Sequence, residues 1–90
     1  MVKEILLQHS QMNVLRDNPV TGEYDIEFYH EDDPWITVIV SKGPAQSTGR
    51  TEGRRPGIRW QTNYGGSVAS AKMFAEVLAD AIAFAEAQSS

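Results

Sequence analysis

Glu23-Tyr24-Asp25-Ile26-Glu27-Phe28-Tyr29-His30 is the most regular stretch of the chain, with Tyr24, Ile26 and Phe28 alternating against Asp25, Glu27 and Tyr29. A period of two is the signature of a β-strand with one dry and one wet face. Both flanks are turn sequences. Upstream, Asp17-Asn18-Pro19-Val20-Thr21-Gly22 combines Asp, Asn, Pro and Gly, each with its own turn chemistry. Downstream, Glu31-Asp32-Asp33-Pro34 ends the ladder at a proline, which has no amide hydrogen to donate. The strand is therefore one member of an antiparallel meander.

The segments beyond those turns fit the same scheme. Trp35 to Ser41 is almost entirely β-branched or aromatic, which predicts a central strand covered on both faces. Val38 and its neighbours are expected on the face away from the helix, apolar and partly exposed in a monomer. Glu4 to Arg16 is apolar at both ends and polar from Gln8 to Gln11, consistent with one bent strand or two short ones. Ile58, Trp60, Thr62 and Tyr64 alternate with Arg59, Gln61 and Asn63 in a fourth strand, which Gly65-Gly66 stops. Beyond Ser67, a suitable N-cap, the residues Phe74, Val77, Leu78, Ala81, Ile82 and Ala85 recur at helical spacing, with Met73 and Phe84 widening the stripe. The reading is an α+β domain over residues 1–90: a four-stranded antiparallel meander followed by one C-terminal amphipathic helix, about 67–87, packed on one sheet face. A mobile loop is expected over 43–57.

Composition narrows the function classes. Hydrophobic residues at 41% and charged residues at 22% are ordinary for a soluble globular chain. No apolar run approaches the ~20 residues of a membrane span. Met1-Val2-Lys3-Glu4 lacks the layout of a secretory signal, so a cytoplasmic location is expected. The absence of cysteine excludes disulfides and thiolate metal ligands. A core of this size without such cross-links favours self-association, and a homodimer is expected.

The net charge of −4 is unevenly distributed. Glu23 to Asp33 holds six acids and no Lys or Arg, whereas Lys42 to Arg59 holds five bases and one acid. Lys42, Arg50, Arg54, Arg55 and Arg59 are the candidate binding residues for an anionic partner, because guanidinium forks match phosphate and carboxylate geometry. Glycines 49, 53 and 57 permit close backbone approach. Tyr29, Trp60 and Tyr64 are candidate stacking groups, since rings and arginines on a sheet are the ingredients of single-strand nucleic-acid binding. By alternation, however, Trp60 and Tyr64 belong with Ile58 against the helix. The two charged zones can equally be read as neutralising one another.

Catalytic and metal chemistry are not expected. Gly43 to Thr51 differs from a phosphate-binding P-loop in its glycine spacing, in Arg50 at the lysine position, and in the strand beyond it. His9 and His30 match no ligand spacing, and the acids 31–33 lack a calcium-loop pattern. There is no cysteine nucleophile and no serine elbow. No cofactor, no metal and no membrane contact are expected. At the level of element order, with Asp25-Ile26-Glu27-Phe28-Tyr29 and the Arg-Pro-Gly stretch 55–57, the chain resembles single-stranded-DNA-binding coactivator and Whirly-type domains. The strand 35–41, the alanine-rich helix and the negative charge depart from that pattern. The expectation is a small non-enzymatic binding domain gripping an anionic partner, nucleic acid before an acidic protein surface. The alternative is a protein-interaction or inhibitor module, of the kind phages and mobile elements carry, docking by its sheet or helix face.

Overall fold

A computed structural model describes residues 2–43, 57–60 and 66–89, with Trp60 and Ser89 described in their backbone only. Strands β1 (Ser10–Asp17), β2 (Tyr24–His30), β3 (Thr37–Lys42) and β4 (Gly57–Trp60) precede helix α1 (Val68–Ser89). The strands form one antiparallel sheet in the order β1-β2-β3-β4, as the meander reading requires. Each turn closes by the chemistry of its own residues. In the first, the Asn18 side chain accepts from the amides of Val20 and Thr21, and Gly22 supplies a positive φ of 78°. In the second, Asp33 accepts from the amides of Trp35 and Ile36 around Pro34.

One face of the sheet carries the core. Tyr24, Ile26 and Phe28 of β2 and Val38 and Val40 of β3 meet Val77, Ala81, Phe84 and Ala85 of α1. The Phe84 ring stands edge-on to Phe28 at 5.1 Å and to Tyr24 at 5.9 Å between centroids, an arrangement that adds to plain area burial. At the helix start the Ser67 hydroxyl accepts from the Ser70 amide at 3.1 Å, the expected N-cap.

Several local expectations are corrected. Of the segment 4–16 only the part from Ser10 onward is strand, and that strand runs on to Asp17. Residues 2–7 form an arm without regular secondary structure, whose Val2, Ile5 and Leu7 pack against the core while Leu6 is exposed. The arm is fastened to α1: the Lys3 amide donates to the Gln88 side chain, which donates back to the Lys3 carbonyl. Trp35 is not strand but lies in the turn, 88% exposed. Val38 points towards the helix and is buried; Thr37, Ile39 and Ser41 take the opposite face, because pairing with Phe28 sets the parity of β3. The helix is turned so that Phe84 and Asp80 lie in the buried seam while Ile82 is 42% exposed. Residues 44–56 of the expected loop and residues 61–64 of the fourth strand, including Tyr64, lie outside the described residues.

Candidate functional site

The face opposite the helix is covered by no other described element. Its cross-strand rows are set by the register. Gln11, Tyr29 and Thr37 form one row, Asn13, Glu27, Ile39 and Arg59 the next, and Arg16, Asp25, Ser41 and Gly57 the third. Tyr29, Ile39 and Arg59 are half-buried, with Gln11 and Asn13 exposed at the edge.

The third row depends on a β-bulge. The register shifts between Val14 and Arg16, leaving Leu15 as the extra residue and setting Arg16 opposite Asp25. The Arg16 Nε then donates to Asp25 Oδ2 at 2.9 Å, with longer contacts from Nη1 to Glu23 Oε1 (3.5 Å) and from Nη2 to the Lys42 carbonyl (3.4 Å). One guanidinium therefore bridges two of the acids in the 23–33 run and offsets one of their two charges. The neighbouring backbone is tight: Gly43 has φ of 105°, and a Cβ there would come within 2.5 Å of the Glu23 carboxylate. Only glycine fits this approach.

The expected anion-binding residues are not all brought together. Lys42 shares the parity of Val40 and pairs with Tyr24, whereas Arg59 pairs with Ile39, so the two cations project from opposite sides of the sheet. Tyr29 is on the open face with Arg59. Trp60 occupies the register position opposite Val38. Arg50, Arg54, Arg55 and Tyr64 lie outside the described residues. Since β3 ends at Lys42 and β4 begins at Gly57, opposite Ser41, the connection that carries those three arginines is attached at the Arg16–Asp25 end of the sheet.

The fold also assembles a second polar cluster, which no sequence motif announces. At the other end of β2, the carboxylate of Glu76 bridges both histidines, His9 Nδ1 at 3.0 Å and the buried His30 Nε2 at 3.1 Å. His30 Nδ1 accepts from the Asp32 amide at 3.0 Å, so its Nε2 carries the hydrogen and donates to Glu76. That nitrogen is thereby used as a donor and offers no lone pair to a metal. Among the described residues no three His, Asp or Glu side chains are placed to hold a metal ion. One helical turn on, Asp80 accepts from the amides of Gln8 (3.1 Å) and His9 (2.9 Å). Burial pushes the Asp80 carboxyl up, but those amides, the Ser10 hydroxyl and the His9 ring outweigh it and hold the group below the usual carboxylate range. The cluster clamps the arm, the start of β1 and the helix together. Its one sequence signal is the pair Glu76 and Asp80, four residues apart and thus on one helix face.

Compared with known proteins, the chain matches no family model, no curated protein and no solved structure at a significant level.

Proposed function

We propose that this domain is a non-enzymatic cytoplasmic binding module, working as a homodimer, that holds an anionic partner on the open face of its sheet. The observation that carries this reading is Tyr29 on a face that no other described element covers, with Arg59 on the same face two strands away; the arginine-bearing connection between β3 and β4 attaches at the opposite end of the sheet from Tyr29, beside Ser41 and Gly57. A half-buried ring fixed by its strand gives a base a surface to stack on, and a nucleic-acid strand running across the sheet from Tyr29 would meet the Arg59 guanidinium, whose charge suits a phosphate. The pairing of Arg16 with Glu23 and Asp25 supports the same view, because it offsets one of their two negative charges at the edge of that surface.

Nucleic acid is the partner favoured. Binding to a short single strand should weaken steeply as salt rises, and Arg54→Ala with Arg55→Ala should flatten the slope by about 1.4 units, ~0.7 for each phosphate no longer neutralised. Tyr29→Ala should weaken binding about tenfold or more with the salt slope unchanged, the mark of a missing stacking platform. No detectable binding at low salt would overturn the nucleic-acid reading. A second reading, docking to a protein, is favoured by one feature: Trp35 stands 88% exposed on the turn that also carries Glu31, Asp32 and Asp33. In that case capture of a partner from lysate survives nuclease and is abolished in Trp35→Ala.

A further inference from the structure

Helix α1 buries one side against the sheet, yet its outer side is not the charged surface such a helix ordinarily shows to water. Val68 is 73% exposed and Ile82 42% exposed, and between them Ala71, Ala75 and Ala79 are also exposed, with Ala83 just beyond. The charges on that side are Lys72 and Glu86, both exposed and neither paired with a described residue. They are placed symmetrically: each is seven residues from Ala79, Lys72 before it and Glu86 after it. Seven residues are close to two turns, so all three share one line along the helix, with the charges about 21 Å apart.

From this we infer that the outer face of α1 is the contact between two copies of this chain, packed antiparallel about a two-fold axis at Ala79. The inference specifies the dimer of the preceding reading and is independent of its anionic partner. The charge pattern selects the occupant. A two-fold axis at Ala79 sets Lys72 of each copy against Glu86 of the other, and Ala75 against Ala83. Any self-contact of this type repeats every pair twice, so one Lys–Glu match yields two. A parallel arrangement in register would instead bring like charges together. The alanines permit close approach of the two backbones, at the lower end of the 8–10 Å range for packed helices. The exposed Ile82 and Val68 extend the apolar seam on either side. An all-polar partner surface would gain nothing from this strip, whereas a second copy buries it and satisfies both charges.

The test is sedimentation of the full chain across a concentration series, with thermal melts to confirm that each variant is folded. The wild type should dimerise. Lys72→Glu should raise the dimer dissociation constant about tenfold or more, since two attractive pairs become two repulsive ones. Glu86→Lys should do the same, and the double variant Lys72→Glu with Glu86→Lys should restore wild-type association. Ala79→Glu, which sets two carboxylates at the axis, should give a folded monomer. Failure of the double variant to rescue would overturn the antiparallel register. A dimer indifferent to Lys72→Glu and Ala79→Glu would overturn this interface while leaving the dimer itself intact. A wild type that stays monomeric at high concentration would overturn both and leave the anionic-partner reading standing.

Discussion

Tyr24 shows how one polar atom can sit at odds with the core around it. Its ring is 3% exposed and packs on Phe84, but the buried hydroxyl has no hydrogen-bond partner among the described residues. Burial pushes the phenol from its ordinary 10.0 up to about 12. An unsatisfied buried hydroxyl costs about 1–3 kcal/mol, so Tyr24→Phe should match or exceed the wild type in urea unfolding at neutral pH, by up to ~1 kcal/mol. The alkaline limb has a definite sign. A folded-state value above the unfolded one contributes stability that is complete below pH 10 and lost as pH rises towards 12. Wild type should therefore lose stability across that window, and Tyr24→Phe should lose less. A substantial loss at neutral pH in Tyr24→Phe would show that the hydroxyl has a partner after all.

Among the elements, α1 couples the sheet to the arm. Its buried seam runs through Val77, Ala81, Phe84 and Ala85, and Phe84 is the largest of these side chains. Phe84→Ala should cost about 3–5 kcal/mol in chemical denaturation, while Leu78→Ala, half-buried beside the core, should cost distinctly less. An equal or larger cost at Leu78 would place the seam where hydrophobic spacing alone puts it. The rotation has a physical origin. Counting apolar residues weights Ile82 and ignores Asp80, because a periodicity has no term for a carboxylate satisfied by hydrogen bonds. Once Asp80 receives the amides of Gln8 and His9, it can enter the seam, and the helix turns to bring it there.

Across the whole molecule, the same carboxylate joins α1 to the segment 8–10, which lies 72 and 71 residues away at Gln8 and His9. The folded-state value of Asp80 is depressed, so its contribution is present above the ordinary carboxylate range and is lost as pH falls through that folded value. Asp80→Asn should cost about 2 kcal/mol at neutral pH, as expected for hydrogen bonds to a buried charge, and should shrink the difference in stability between pH 7 and strongly acid solution. Amide exchange is the closer probe: Gln8 and His9 should lose protection in the variant before the amides of β2 do. Unchanged protection at those two amides would mean that the apolar arm residues Val2, Ile5 and Leu7 hold the segment without it.

Element order was legible in the residues because short-range rules govern it. Tyr24 to His30 alternates strictly, Asn18 and Gly22 close their turn locally, Ser67 caps a helix with its own hydroxyl, and each of these depends on neighbours a few positions away. The same locality explains what could not be read. The parity of β3, which buries Val38 and turns Ile39 outward, is set by its register with β2. The arm over residues 2–7 and the meeting of His9, His30 and Glu76 join positions far apart in the chain. The Arg16–Asp25 pair required a bulge that composition does not signal. Periodicity assigns a residue to one of two faces; which face is dry, and which charge meets which, is settled by packing between segments that only folding brings together.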